Sequence, residues 1–305
     1  MSDVSTMKLP DGAPEEVVTN AYLREIDLAA FGYKGTLSLI TIDNGMDHNR
    51  PSTFGPQSLA SLNGAITLAE ESASIAIAIT GKPFIFAAGA DLSALAFLKD
   101  KDQALAIGKL GHDVFRRLGE SKKPTFAFIN GLALGGGLEV ALHCNYRTLA
   151  TTAFTGLPEV FLGLVPGWGG ATILPKLIGP KNAVQVIILN ALNNNTMMKA
   201  KDALGLGVVD KIFQPADFLE NSIKFATSIL SGAEKIERPD FSEDKAQWDE
   251  AIAIGQGAVA KKFGGAQIPQ AIKALELIAA ARTNTLGSGF DAEDQELATL
   301  AMSDP

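Results

Sequence analysis

Two glutamates, Glu139 and Glu159, stand twenty residues apart in a stretch that holds almost no other charge. Between Pro124 and Pro175 the only other charged residue is Arg147. Carboxylates are rarely buried in so apolar a region without a partner or a function. Burial raises the pKa of a carboxyl group, and two neighbouring carboxyl groups resist joint ionisation, so one can act as a base while the other holds a proton. The pair therefore suggests an acid/base site in a dry pocket.

Each glutamate also has a purely structural explanation. Glu139 follows three glycines and falls in the first turn of a predicted helix, where a carboxylate interacts favourably with the helix dipole. Glu159, directly after Pro158, could bind the backbone amides of a loop. His143 lies one helical turn after Glu139 and could hydrogen-bond to it, but a histidine at the helix surface or partly buried is the favoured interpretation. The residues leave these alternatives open, but the shared charge-poor stretch favours an acid/base pair.

Two turns made of small residues each follow a predicted buried strand and precede a predicted helix. They are Ala88-Gly89-Ala90 and Gly135-Gly136-Gly137. Small residues let a ligand approach the backbone closely, and free N–H groups at the start of a helix attract negative charge. Two such N–H groups directed at one point would form an oxyanion hole. The alternative is that the glycines only permit tight turns.

Hydrophobic patterning predicts an α/β core followed by helices. Continuous apolar runs separated by helices are typical of parallel strands that are buried on both faces. We predict a mobile lead-in over residues 1–18, a core that carries the site over 19–215, and a helical region over 216–305. Strands are predicted at 21–27, 36–43, 75–80, 84–87, 125–130 and 147–150. Helices are predicted from about 56 and 92, at 102–118, from 135, and at 169–178, 181–190, 198–205, 216–231, 242–263 and 269–284.

Composition argues against several classes of function. The net charge of −8 and the lack of a basic stripe argue against nucleic-acid binding. A single cysteine, Cys144, excludes an internal disulfide and fits a reducing cytoplasm. The three histidines lack the spacing of metal ligands, so no metal site is expected. The first twelve residues lack the apolar core of a secretory signal. Residues 125–145 are apolar, but three glycines and a glutamate make a membrane-spanning helix improbable.

Three segments together resemble the enoyl-CoA hydratase/isomerase (crotonase) family. They read FIFAAGADLSAL, INGLALGGGLEVAL and GLPEVFLGLVPGWGG, and the resemblance covers roughly residues 36–215. It implies a spiral of repeated ββα units, an acyl-CoA thioester as substrate, and C-terminal helices that assemble a homotrimer or a dimer of trimers. No cofactor is implied, since coenzyme A is part of the substrate.

The resemblance also implies roles for individual residues. The N–H groups of Ala90 and Gly136 would bind the thioester oxygen, and Glu139 and Glu159 match the two hydratase glutamates. Gly167 matches the glycine that helps to position the catalytic water. The expected substrate-binding set is Ala88, whose carbonyl would recognise adenine, with Gly89, Asp91, Leu92, Gly135, Pro158 and Trp168. For Trp168, a packing role is an equal alternative to lining the acyl pocket.

The chain also departs from the family pattern. Ser93 stands where family members often have a lysine, so the side chain at this position offers no positive charge to a phosphate of coenzyme A. The segment DNGMDHNRPSTFGPQSLASLN and the ending EDQELATLAMSDP, which suggests a helix still running, are similar to the hydratase part of fused β-oxidation enzymes. We therefore expect an N-terminal half that is fused to, or associated with, a 3-hydroxyacyl-CoA dehydrogenase.

The expected reaction is the hydration of a trans-2-enoyl-CoA to a 3-hydroxyacyl-CoA, which would make the protein a hydro-lyase of fatty-acid β-oxidation. A Δ3-Δ2 enoyl-CoA isomerase is the first alternative, because one glutamate can suffice for it. A non-catalytic scaffold that binds acyl-CoA or assembles other proteins is the second alternative. The presence of both glutamates favours the hydratase.

Overall fold

The computed structural model describes residues 9–303, which form two β-sheets, the helices between their strands, and a C-terminal group of helices. The strands are β1 (Asn20–Asp27), β2 (Thr36–Asp43), β3 (Ala76–Gly81), β4 (Ile85–Ala87), β5 (Thr125–Ile129), β6 (Leu132–Leu134), β7 (Tyr146–Ala150), β8 (Phe154–Gly156), β9 (Met198–Lys199) and β10 (Lys211–Phe213).

The core helices are α1 (Pro56–Glu71), α2 (Lys101–Glu120), α3 (Gly136–Leu142), α4 (Gly170–Ile178), α5 (Pro180–Val184), α6 (Asn190–Leu192) and α7 (Ala200–Gly205). A π-helical segment, Gln185–Leu189, joins α5 to α6. The C-terminal helices are α8 (Phe218–Leu230), α9 (Lys245–Phe263), α10 (Pro269–Ala281) and α11 (Leu286–Ala301).

A strand–strand–helix unit repeats along the core. The units are β3-β4-α2, β5-β6-α3 and β7-β8-α4. The first strand of each unit belongs to one sheet and the second strand to the other. The first sheet has the order β1-β2-β3-β5-β7-β10 and is parallel except at β1; the second has the order β4-β6-β8-β9. This architecture confirms the predicted crotonase-like spiral, although no repeat is visible in the sequence.

The longest predicted elements agree with the structure, whereas short ones were missed. Strand β2 has the predicted bounds, and α1 begins at the predicted Pro56. Strands β6, β8, β9 and β10 have only two or three residues each, too few to show periodicity. The helix predicted from residue 92 is a 3₁₀ helix, Leu92–Phe97. Helix α11 ends at Ala301, so the prediction of a helix still running at the end of the sequence was wrong.

The N-terminal segment docks onto α1 through Glu16. This carboxylate is buried and accepts hydrogen bonds from the N–H of Gln57 at 2.9 Å and from the N–H of Ser58 at 2.9 Å. Gly55, the N-cap residue of α1, has no side chain to bind these amides. Glu16 therefore supplies hydrogen-bond acceptors for free backbone N–H groups in the first turn of α1, more than forty residues further along the chain. Residues 1–8 of the predicted lead-in lie outside the described part of the chain.

The apolar stretch 125–145 folds into β5, β6 and α3 inside the core. Within residues 9–303, no helix is both long enough and apolar enough to cross a membrane.

Candidate active site

All twelve residues that were predicted to bind substrate or catalyse the reaction line a single cavity of about 970 Å³, measured with its open mouth. Apolar side chains form much of the remaining wall. The lining includes Leu59, Leu95, Leu98, Ile107 and Leu110 from the core, and Leu297 and Ala301 from α11. A pocket with apolar walls and a few polar groups is suited to a small molecule with an apolar part. The structure thus brings the predicted residues together, while their individual roles stay predictions.

The two glycine-containing turns meet in the wall of this cavity. Phe54 bridges the first turn, since its N–H donates to Gly89 at 2.9 Å and its carbonyl accepts from Asp91 at 2.9 Å. The N–H of Ala90, which lies between these two residues, takes part in neither hydrogen bond. The N–H of Gly136 begins α3, and neither of these two N–H groups has an acceptor among residues 9–303.

The close contact between the turns depends on their glycines. A Cβ atom on Gly89 would lie only 3.3 Å from the nitrogen of Gly136, and the φ of Gly89 is +89°. A side chain there would therefore be strained and would separate the turns. Two adjacent unpaired N–H donors on one cavity wall are able to bind an oxyanion.

Glu139 projects from α3 and is 2% exposed. Its Oε1 accepts the N–H of Trp168 at 2.8 Å and that of Gly170 at 2.9 Å. Burial and then the charge of Glu293 raise the pKa of Glu139 to about 7, against the two amides and the charge of His112, which lower it. The carboxyl group therefore titrates near neutral pH and can exchange a proton there.

Glu159 lies in the loop after β8 and is also buried. Burial, followed by the charge of Glu139, raises its pKa well above the ordinary value. Its Oε2 has no hydrogen-bond partner in the described structure. A buried oxygen without a donor disfavours the ionised form, so Glu159 carries a proton under conditions in which Glu139 can lose one. The two carboxyl groups thus have the properties of an acid/base pair.

A sequence model described as Enoyl-CoA hydratase/isomerase matches residues 32–239. The chain belongs to the enoyl-CoA hydratase/isomerase family. It is 37% identical over 188 residues to the crotonyl-CoA hydratase of Syntrophomonas wolfei subsp. wolfei, and the match covers 60% of this chain and 70% of that protein.

The chain is also similar to a much longer family member. It is 33% identical over 237 residues to the fatty acid oxidation complex subunit alpha of Shewanella loihica. The match covers 74% of this chain and 32% of that subunit. The chain therefore spans about a third of the length of this relative. The solved structure of an enoyl-CoA hydratase from Bacillus anthracis has the same fold, with a TM-score of 0.59, 24% identity, and coverage of 87% of this chain and 90% of that one.

Three residues of the predicted site of this family member also have structural partners. The carboxylate of Asp91 caps the following 3₁₀ helix by accepting the N–H of Ser93 at 3.0 Å. Trp168 lines the cavity and is also packed, because its indole Nε1–H donates to the Gly108 carbonyl at 3.0 Å. Gly167 lies against the side chain of Leu297 on α11, so that a Cβ atom would have no room. The packing role of Trp168 is therefore observed, whereas its contact with an acyl chain stays a prediction.

His143 does not bond to Glu139, and of the two alternatives the structure shows the histidine buried on the helix. It is buried, and its Nε2–H donates to the carbonyl of Trp168 at 3.0 Å. Burial lowers the pKa of His143 to about 3, which keeps the ring neutral. The ring supports the loop that carries Trp168 and is not a partner of the carboxyl group.

A second buried ionisable cluster was missed from the sequence. It consists of His112 on α2 with Glu293 and Asp294 on α11, at 3.2 Å and 2.7 Å from the ring nitrogens. Burial opposes the charge on His112, but its hydrogen bonds to Asp294 and Glu293 and the negative charges of these two acids together outweigh burial and raise the pKa of His112 to about 9. In the sequence the two acids lie in the polar run DAEDQE, which is typical of an exposed helix face. Among residues 9–303 no group of three or more His, Cys, Asp or Glu side chains is arranged to hold a metal ion.

Proposed function

We propose that this chain hydrates trans-2-enoyl-CoA thioesters to 3-hydroxyacyl-CoA thioesters. The observation that carries the proposal is the placement of two buried carboxyl groups of different proton affinity in one cavity with two unpaired backbone N–H groups. Hydration needs a base for water, an acid for carbon, and a site for the negative oxygen that forms between the two steps.

The difference between the glutamates supports a different role for each. Glu139 receives two backbone N–H bonds on Oε1, which stabilise its ionised form, and its Oε2 has no protein partner in the described part of the chain. It therefore takes a proton from water while the water oxygen forms a bond to Cβ. The electron pair of the double bond moves to the thioester oxygen, which the N–H groups of Ala90 and Gly136 bind. Protonated Glu159 then gives its proton to Cα.

The two alternatives account for fewer of these observations. An isomerase can work with one carboxyl group, so the second buried glutamate would have no task. A non-catalytic scaffold would gain nothing from the burial of Glu139 and Glu159, which is unfavourable for their charged forms. The crotonyl-CoA hydratase named among the relatives supports the hydratase over both.

Further proposals concern the position of the acyl chain, the assembly of the protein and its location. We infer that the acyl chain lies against the apolar wall formed by Leu95, Leu98 and Leu110. We propose a homotrimer or dimer of trimers and the absence of a cofactor, which the resemblance implies, and a cytoplasmic location, which the single cysteine favours. The long relatives named fatty acid oxidation complex subunit alpha support fusion to, or association with, a 3-hydroxyacyl-CoA dehydrogenase.

The direct test is a hydration assay with crotonyl-CoA, in which absorbance of the conjugated thioester falls as water adds. We expect turnover by the wild-type chain and identification of 3-hydroxybutyryl-CoA by mass spectrometry. A 3-enoyl-CoA supplied in parallel separates the two activities. Conversion of the 3-enoyl-CoA without hydration of crotonyl-CoA would favour the isomerase, and binding without either reaction would favour the scaffold.

A further inference from the structure

Three consecutive backbone amides at the start of α4 are divided between two buried carboxylates. The N–H groups of Trp168 and Gly170 donate to Oε1 of Glu139, at 2.8 Å and 2.9 Å. The N–H of Gly169 between them donates to Oε2 of Glu293, at 2.6 Å. Glu139 comes from α3 and Glu293 from α11, so two separate helices hold the same short loop.

The loop has little freedom to adopt another arrangement. Gly169 has a φ of +109°, and a Cβ atom there would lie 2.7 Å from Nε2 of His143. His143 in turn binds the carbonyl of Trp168 at 3.0 Å. The amide of Gly169 is therefore fixed in direction, and the acceptor on α11 completes its hydrogen bonding.

The side chain of Glu293 is held by hydrogen bonds, and its negative charge lies beside His112. It is fully buried, and its Oε2 also binds Nε2 of His112 at 3.2 Å, while Asp294 holds the other ring nitrogen at 2.7 Å. The ring of Phe290 stacks on His112 with 4.7 Å between ring centroids. The second oxygen of Glu293, Oε1, is buried without a hydrogen-bond partner in the described structure. Burial of a carboxylate oxygen without a hydrogen-bond donor is energetically unfavourable, so this arrangement points to a function for Glu293.

We propose that Glu293 is a positioning residue for the hydration reaction, which anchors the loop at Trp168–Gly170 from α11 and acts on Glu139 through its charge. The inference rests on the proposed function for its meaning in catalysis. It makes α11 part of the active site through a polar contact and not only through the apolar side chains that line the cavity.

The charges that act on Glu139 come from several elements. Glu293 faces it from α11 and raises its pKa, whereas His112 on α2 lowers it. Glu159 faces it from the loop after β8, and the charge of Glu139 raises the pKa of that group. His143 at the end of α3 is neutral, and Asp294 on α11 is paired with His112 at 2.7 Å. Removal of the negative charge of Glu293 should therefore make Glu139 a weaker base.

The decisive variant is Glu293→Gln. Its amide oxygen can occupy the position of Oε2 and keep the bonds with Gly169 and His112, while its NH₂ group takes the position of the unpartnered Oε1. The substitution thus removes the charge and retains the anchor. Asp291→Asn is the matched control, because Asp291 lies on the exposed face of α11, 3.7 Å from Lys109. Glu293→Leu removes both the charge and the anchor.

The first measurement is the titration of Glu139 by ¹³C NMR of protein labelled at the glutamate carboxyl carbons, with Glu139→Gln used to assign the signal. We expect a lower midpoint in Glu293→Gln than in wild type and in Asp291→Asn. An unchanged midpoint in Glu293→Gln overturns the proposal. The NMR titration does not depend on turnover. Its result can therefore be distinguished from a failure of the wild-type chain to hydrate crotonyl-CoA, which would reject the proposed function.

The second measurement is kcat and KM for crotonyl-CoA. We expect Glu293→Leu to have a kcat about tenfold or more below that of Glu293→Gln, with KM changed much less, because a displaced loop misplaces Glu139. Equal kcat values for the two folded variants overturn the anchoring role. If Glu293→Leu does not fold, the midpoint of Glu293→Gln decides alone.

Discussion

The carboxylate of Glu139 accepts the backbone N–H of Trp168 at 2.8 Å, which joins α3 to a loop 29 residues further along the chain. A second amide, that of Gly170, donates to the same oxygen at 2.9 Å. Among residues 9–303, no comparable pair of donors from outside its own residue binds Glu159. This difference makes the two buried glutamates chemically unequal, and it leads to the first two predictions.

Replacement of either glutamate by glutamine should abolish most of the activity and leave the fold intact. We expect Glu139→Gln and Glu159→Gln each to lower kcat for crotonyl-CoA by about 10²-fold or more, since each removes one proton transfer. The amide oxygen at position 139 can still accept both N–H bonds. Thermal melts should show no loss of stability, and Glu220→Gln on the exposed face of α8 serves as the control. Near wild-type turnover in both variants would reject the two-glutamate mechanism.

The activity should depend on the ionisation of Glu139. Its pKa of about 7 lies above the ordinary value for a glutamate, so the base is protonated at acid pH and becomes available as the pH rises through neutrality. We expect kcat/KM for crotonyl-CoA to rise with pH up to about 7 and to fall again where Glu159 loses its proton. A profile that is flat between pH 5 and 8 would contradict Glu139 as the base.

The stability of the protein should decrease between pH 6.5 and pH 9 because of His112. Its pKa is raised to about 9 in the folded protein, so its contribution is complete below 6.5 and is lost as the pH rises through 9. A shift of this size corresponds to up to about 3 kcal/mol in the free energy of unfolding.

Denaturant melts across this pH range measure the effect. We expect the pH dependence to be smaller in His112→Gln, where only the part due to the raised pKa values of Glu139 and Glu159 remains, and to be unchanged in His48→Gln, in an exposed loop. The same slope in His112→Gln and wild type would show that His112 is not cationic in the fold.

Gly135 should be irreplaceable for a steric reason that involves the active site. It has a φ of +52°, and a Cβ atom would lie 2.6 Å from Oε1 of Glu159. We expect Gly135→Ala to lower both stability and turnover, because the backbone is strained and Glu159 must move.

Gly64 offers the matched control for this substitution, since it lies within α1 and a Cβ atom there meets nothing within 4 Å. Gly64→Ala should raise the free energy of unfolding by about 0.5–1 kcal/mol with unchanged kcat. A Gly135→Ala variant that behaves like Gly64→Ala would remove the steric argument.

The helices after residue 215 should mediate self-association. Ile254 and Phe263 on α9 are exposed, at 39% and 37%, and a groove lined mostly by apolar residues lies between α9 and α10. Burial of such surfaces against neighbouring copies would be favourable. We expect a trimer or a dimer of trimers by sedimentation at micromolar concentration, and Ile254→Asp should weaken it. A wild-type monomer at that concentration would reject the assembly.

The sequence alone determined the parts of the site that depend on local signals. Glu139 and Glu159 are conspicuous because they are the only acidic residues in a long apolar stretch, and burial of that stretch follows from its composition. The glycine turns could be located because each stands between a strand and a helix of recognisable periodicity. Long elements such as β2 and α1 were predicted for the same reason.

The tertiary structure alone decided which other charges reach the site. His112 is 181 and 182 residues away in sequence from Glu293 and Asp294, and nothing in the polar pattern of α11 distinguishes buried acids from exposed ones. Periodicity reports which residues share a helix face, but not what that face contacts. The pKa of a buried group depends on all charges near it in space. The proton affinity of Glu139 therefore depends on the packing of α11, at the other end of the chain.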